Sequence, residues 1–200
     1  MTDDFKGAAL PMTDEDVSTV AGEIGVEIAA LKAVLAVESA GSGFDKSGRP
    51  KALFERHHFF KHLKTKPVEL DQATAMGLAY PKWGEKPYPK GSDAVYAEIA
   101  AAYDIDADAA LLSTSWGLGQ VMGSNYKMVG CENVAEMLAQ AMQSEGQQLR
   151  HMANFCKSAG LLNALKNKDW AAFAKGYNGP QYAKNQYDIK LANAYQKALG

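Results

Sequence analysis

Glu38 is the residue whose position most clearly suggests chemistry. It follows Ile28, Leu31 and Leu35 at spacings of three and four, so a helix over residues 26–39 places its carboxyl group on the aliphatic face. A carboxyl group on an inward face is poorly solvated, which raises its pKa and suits it to general acid catalysis. A Gly-Ser-Gly sequence then ends the helix, so Glu38 can face a cleft, as the acid of a glycosidase does. The alternative is a surface or hydrogen-bonded Glu at a helix end.

Two more carboxylates, Asp45 and Glu55, lie in the next segment. The Gly, Ser and Pro content of residues 41–56 predicts a small β-hairpin with one acid on each side. Cleavage of a glycosidic bond needs stabilisation of positive charge at the anomeric carbon as well as an acid, and either carboxylate could supply it. The alternative role of Glu55 is an ion pair that holds the hairpin, with Arg49, Lys51 or Arg56 as its partner.

Three histidines raise the question of a metal site. His58 and His62 stand four residues apart and could share a helical face, with His57 next to them. The sequence has no Glu between them in the His-Glu-x-x-His arrangement, and both cysteines are remote. We therefore expect no metal and no cofactor, and histidines that support the hairpin.

The composition is that of a globular protein with one domain. The 200 residues are 47% hydrophobic and 22% charged. The net charge of −2 and the pI near 6.1 give no general attraction to nucleic acid. Cys131 and Cys156 are predicted to be free, buried thiols. We find neither a signal peptide nor an apolar stretch of membrane-spanning length, and so expect no stable membrane insertion.

The hydrophobic pattern predicts a mainly helical chain. A capping box at Thr13 and Asp16 opens a helix that ends near Gly25, just before the Glu38 helix. The other predicted helices span residues 57–64, 94–103, 106–112, 134–158 (which Gly146 could interrupt), 169–175 and 181–199. A polar, proline-rich loop over residues 80–91 is expected to be flexible or to face substrate.

Three separate segments carry a family resemblance. They are Val37-Glu38-Ser39, the stretch over residues 113–122 that contains Gly-Leu-Gly-Gln, and the stretch over 174–180 that contains Tyr-Asn-Gly. In this order they resemble the signatures of lysozyme-like glycosidases and soluble lytic transglycosylases. The hairpin, with Gly43-Phe44 and then residues 48–57, resembles more closely the N-acetylmuramidase domain of endolysins from phages that infect Gram-negative bacteria.

The resemblance runs from about Leu10 to Leu199 and implies the architecture. It implies a mainly α, lysozyme-like fold of about eight or more helices with one small β-hairpin. The whole chain, 1–200, would then be a single catalytic domain with a short N-terminal tail, 1–12. We expect no separate wall-binding domain and a monomer.

The resemblance also implies roles for residues of the site. Tyr177 and Asn178 would reach Glu38 or the N-acetyl group of a sugar, and Tyr177 could fix the Glu38 side chain by a hydrogen bond. Gln120 could bind sugar acetamides, and Ser115 could contact either a sugar or Glu38. The match around Glu55 favours it over Asp45 as the second carboxylate.

Aromatic residues are expected in two places, the hydrophobic core and the surface that binds substrate. Trp116 is expected in the core, because burial of its ring is worth more than an exposed stack. Trp83 and Tyr88, in the proline-rich loop, are the candidates for stacking on saccharide rings.

The predicted activity is hydrolysis of the bond between N-acetylmuramic acid and N-acetylglucosamine in peptidoglycan. The alternatives are a lytic transglycosylase, which forms anhydro-muramic ends, and a lysozyme-like module that binds glycan without cutting it. By family inference, the protein is made in the host cytoplasm and reaches the periplasmic peptidoglycan with the help of a holin.

Overall fold

The computed structural model describes residues 4–39 and 41–200. Residues 1–3, the start of the predicted tail, and residue 40 lie outside the described part. In these ranges the chain forms eleven α-helices and one small sheet, which confirms a mainly α fold. The helices are α1 (Asp14–Ile24), α2 (Ile28–Glu38), α3 (Arg56–His62), α4 (Pro67–Ala75), α5 (Ser92–Ile105), α6 (Ala107–Leu112), α7 (Val134–Gln143), α8 (Glu145–Ser158), α9 (Leu162–Lys166), α10 (Trp170–Asn178) and α11 (Tyr187–Leu199).

The sheet has three antiparallel strands, β1 (Ala52–Phe54), β2 (Thr114–Trp116) and β3 (Val121–Met122), in the order β1-β2-β3. The sequence predicts a hairpin within residues 41–56, and the structure has a shorter antiparallel pairing there than expected. The two arms of that segment are joined by an antiparallel bridge between Phe44 and Pro50 and by backbone hydrogen bonds of 2.8 Å on either side of it. Further along, β1 pairs not with this segment but with β2, in the register Leu53 opposite Ser115. The β-branched and aromatic residues of β2 suit a strand, but their partner is too distant in sequence for a local pattern to reveal it.

Local signals set most helix boundaries. Thr13 and Asp16 form the predicted capping box of α1, and Gly25 ends that helix in the left-handed region. The long helix predicted over residues 134–158 is broken at Ser144, which is extended and accepts a hydrogen bond from Gln147 N–H. Gly146 does not interrupt a helix but lies inside α8. Glycine is needed there because a side chain would collide with Asp16.

Buried hydrophobic residues form two clusters. One surrounds the sheet and helices α3 to α7, with Phe54, Phe59 and Ile99 at its centre. The other lies among α1, α2, α8, α10 and α11, with Leu31 and Phe173 fully buried. Trp116 belongs to the first cluster and is 3% exposed, as predicted.

Both cysteines are free and buried, which confirms that prediction too. Among the described helices, none is long and apolar enough to cross a membrane.

Candidate active site

Glu38 is the last residue of α2. Leu31 and Leu35 on the same helix are buried, but Ile28 is 45% exposed, so the predicted inward face covers only the later turns. Burial raises the pKa of Glu38 to about 7, against a smaller opposing effect of the Lys190 charge. The side-chain amide of Asn178 donates a hydrogen bond of 2.9 Å to Glu38 Oε1. No ion pair to Glu38 forms within the described residues.

Glu38 opens onto a cleft of about 460 Å³, which is large enough to take in a sugar residue. Its walls come from both hydrophobic clusters, because Leu118 belongs to one and Val95 to the other. The lining residues are Glu38, Ser42, Asp45, Lys51, Ala52, Leu53, Gly91, Ser92, Val95, Gly117, Leu118 and Gln120.

Asp45 lines the same cleft, and its carboxylate is heavily hydrogen-bonded. Oδ1 accepts the N–H groups of Ser47 and Arg49 at 2.8 and 2.9 Å. Oδ2 accepts the Ser92 hydroxyl at 2.6 Å and lies 2.7 Å from Arg49 Nη2. Burial works against the charge, but the bonds from Ser92 and Arg49 prevail and lower the pKa of Asp45. Asp45 is therefore ionised at neutral pH, and its oxygens are occupied.

Glu55, the residue that the sequence favoured as second carboxylate, does not line the Glu38 cleft. Its Oε2 accepts the Tyr88 hydroxyl at 2.5 Å and lies 3.3 Å from His57 Nδ1. Burial, followed by the hydrogen bond to Glu55, raises the pKa of Tyr88 to about 12. Of the three partners named for the alternative ion pair of Glu55, Arg56 pairs with Glu98 and Arg49 with Asp45.

The turn after β2 brings two predicted residues together. Gln120 has a left-handed backbone (φ 46°) and lines the cleft. Its Oε1 accepts the hydroxyl of Ser115 at 3.0 Å, and its Nε2 donates to Gly117 O at 2.8 Å. Ser115 is 4% exposed and does not reach the cleft itself, so it supports Gln120 instead of contacting Glu38.

Tyr177 departs from its expected partner. Its hydroxyl donates to the carbonyl of Gly119 at 3.0 Å, and its ring stacks on Phe173. Asn178, the next residue and the other one expected to reach Glu38, does make a hydrogen bond to it. Tyr177 thus connects the Tyr-Asn-Gly segment to the turn that carries Gln120.

The two loop aromatics lie apart from Glu38. Tyr88 is half-buried against Glu55, and Trp83 is 71% exposed. Tyr88 lines a second, smaller pocket with Arg56 and His57. Trp83 therefore exposes most of its ring to solvent, and neither aromatic residue lines the Glu38 cleft.

Two of the three histidines, His57 and His58, pack against each other. The rings of His57 and His58 are 4.4 Å apart, and burial lowers the pKa of His58 to about 4. Burial also lowers the pKa of His62. No group of three or more potential metal ligands occurs among residues 4–39 and 41–200.

Sequence reasoning missed several polar residues around the cleft. Ser92 and Lys51 line it, and Glu145 and Gln148 bind backbone groups of its walls. The Ser144 cap signals the start of α8, but no local pattern shows that Glu145 contacts residues more than 100 positions away.

Comparison with known proteins identifies relatives over most of the chain. A family model described as N-acetylmuramidase matches residues 27–199. The crystal structure of the Burkholderia AP3 phage endolysin is similar, with a TM-score of 0.86 and 37% sequence identity. The alignment covers 94% of this chain and 71% of the AP3 chain. No match was found among curated proteins.

Proposed function

The chain belongs to the N-acetylmuramidase family, and from this premise we propose that it cleaves the bond between N-acetylmuramic acid and N-acetylglucosamine with Glu38 as general acid. The family and the similarity to the AP3 endolysin make it a glycoside hydrolase of the phage endolysin type that acts on peptidoglycan. The bond and the residues that cleave it are the proposal.

One observation carries the assignment: Glu38 lies in a cleft, half-buried, with a pKa of about 7. At neutral pH a large fraction of this side chain is protonated and can donate. The proton passes from the Glu38 carboxyl to the glycosidic oxygen as the C1–O bond breaks, and positive charge develops at C1 of the muramic acid. Water then adds to C1 and gives up a proton, which restores the Glu38 carboxyl group and completes hydrolysis.

We assign the second, electrostatic role to Asp45 instead of Glu55. Asp45 shares the cleft with Glu38, and its donors keep it ionised, as a carboxylate that stabilises positive charge must be. The same donors occupy both of its oxygens, which makes Asp45 a poor nucleophile. Glu55 instead accepts the Tyr88 hydroxyl and so holds the loop over residues 80–91 in place.

The remaining residues bind or orient. Asn178 orients the Glu38 carboxyl through its amide. Gln120 faces the cleft and is placed to bind a sugar acetamide, with Ser115 and Tyr177 holding its turn. Trp83 would stack on a sugar of the same strand beyond the cleft.

The hydrogen bonds that occupy both oxygens of Asp45 favour one alternative function. If Asp45 cannot attack C1 or activate water, the 6-hydroxyl of the muramic acid can attack C1 in its place, which gives the 1,6-anhydro product of a lytic transglycosylase.

We also propose that the chain acts as a monomeric single domain on periplasmic peptidoglycan after release by a holin.

Mass spectrometry of digested peptidoglycan tests the proposal. Purified sacculi are digested, and the products are reduced with borohydride to mark their reducing ends. We expect reduced muramic acid ends. Anhydro-muramic ends would identify the transglycosylase route, and reduced glucosamine ends would show cleavage of the other glycosidic bond and overturn the assignment.

A further inference from the structure

Glu145, the first residue of α8, is 8% exposed and lies against the loop that follows Glu38. Its Oε1 accepts the Ser42 hydroxyl at 2.7 Å and the Gly43 N–H at 2.6 Å. Its Oε2 accepts the Met12 N–H at 2.9 Å. Burial opposes ionisation, but the bonds from Ser42, Met12 and Gly43 lower the pKa of Glu145. The carboxylate is therefore charged and fully engaged.

Gln148, one turn further along α8, binds the opposite wall of the cleft. Its Oε1 accepts the Leu118 N–H at 2.9 Å, and its Nε2 donates to the Ala141 carbonyl at 2.8 Å. Gly43 and Gly117 both lie against its side chain, and a Cβ at either position would collide with it. The amide thus separates the Gly43 wall from the Gly117 wall.

We propose that Glu145 and Gln148 are positioning residues that hold the two walls of the cleft at a fixed spacing beside Glu38. The inference rests on the proposed role of the Glu38 cleft. Ser42 lines one wall, and Leu118 lines the other. Each is tied to the same turn of α8, by Glu145 in the first case and Gln148 in the second.

A simple helix-cap role does not account for these contacts. Ser144 is the N-cap of α8, and its own side chain accepts the Gln147 N–H. The three groups that donate to the Glu145 carboxylate come from elsewhere, and two of them belong to the loop after Glu38. A Gln at position 145 keeps the size but turns an NH2 group towards one of these donors, so that side of the contact is lost.

The test compares Glu145→Gln with Asp16→Asn. Asp16 touches the same turn of α8 at Gly146 but serves the capping box of α1 and does not line the cleft. With soluble glycan strands as substrate, we expect kcat per folded molecule to fall on the order of 10²-fold in Glu145→Gln, because displacement of the walls misplaces the bond relative to Glu38. We expect KM to change little. Asp16→Asn should lower thermal stability and leave kcat unchanged.

Hydrogen exchange provides a second readout that does not depend on activity. We expect faster exchange of the Gly43 amide in Glu145→Gln, and of the Leu118 amide in Gln148→Leu. Should Glu145→Gln not fold, Ser42→Ala removes one of its three donors and should give a smaller loss of kcat without loss of stability.

Wild-type kcat per folded molecule in Glu145→Gln, or in Ser42→Ala where that variant replaces it, would overturn the inference. An equal loss of kcat in Asp16→Asn would do the same. If instead the wild type releases no muramic acid ends, the proposed function fails, and the exchange data still report whether α8 holds the walls.

Discussion

Glu38 and Glu145 are both partly or largely buried glutamates beside the same loop, yet they differ in pKa. Glu38 receives one amide hydrogen bond, and its pKa rises to about 7. Glu145 receives three, and its pKa falls. Burial raises the pKa of both carboxyl groups, but at Glu145 the three donors and the Lys51 charge outweigh it.

Their helices add to the difference. Glu38 is the last residue of α2, where unpaired carbonyl groups disfavour negative charge. Glu145 is the first residue of α8, where unpaired N–H groups favour it. The helix C-terminus with one donor thus favours the protonated form of Glu38, and the helix N-terminus with three donors favours the ionised form of Glu145.

Removal of the transferable proton should have the largest effect. We expect Glu38→Gln to reduce lysis of outer-membrane-stripped cells by about 10²- to 10⁴-fold, the usual contribution of a general acid. The substitution keeps the shape of the side chain, so the fold should persist. Circular dichroism checks this, and Glu132→Gln, on an exposed residue away from the cleft, is the control. Lysis at the wild-type rate would rule out Glu38 as the acid.

The next prediction separates Asp45 from Glu55. Asp45→Asn should lower the unfolding free energy by about 2 kcal/mol, because Arg49 loses a largely buried partner. It should also reduce activity per folded molecule more than Glu55→Gln does, since only Asp45 lines the cleft. Turnover numbers and urea unfolding curves decide the order. A larger loss in Glu55→Gln would restore Glu55 as the second carboxylate.

The sequence predicted some features of this site and not others. The helical spacing and the Gly-Ser-Gly break predicted the position of Glu38, because both are local signals. The sequence did not reveal that β1 pairs with β2 across about 60 residues, nor that Glu55 turns to Tyr88. Tyr177 and Asn178 were both expected to reach Glu38 or a sugar; Asn178 binds Glu38 and Tyr177 binds Gly119, a division that depends on tertiary packing.

The pH dependence of stability should have a defined sign. The pKa of Glu38 is raised from 4.5 to about 7 in the folded state, so the folded protein binds more protons between these values. Stability from Glu38 is therefore present below pH 4.5 and is lost as the pH rises to 7.

The Glu38→Gln variant has no carboxyl group at this position to ionise, so it does not lose this stability as the pH rises. Its unfolding free energy should match that of the wild type near about pH 4 and exceed it by at most about 2 kcal/mol at about pH 8, after allowance for partial exposure. Denaturant unfolding at the two pH values measures the difference. A difference of the opposite sign would mean that Glu38 is ionised and stabilised in the folded state.

The smallest expected effect concerns metal. A carboxyl that donates its own proton to the glycosidic oxygen needs no Lewis acid, so dialysis against EDTA should leave the rate unchanged. Replacement of His58 and His62 together by Gln should then lower stability more than turnover, because both residues lie in α3 and are half-buried. Activity that is lost on chelation and restored by zinc would show that a metal-bound water attacks the bond, and Glu38 would lose its role as the principal acid.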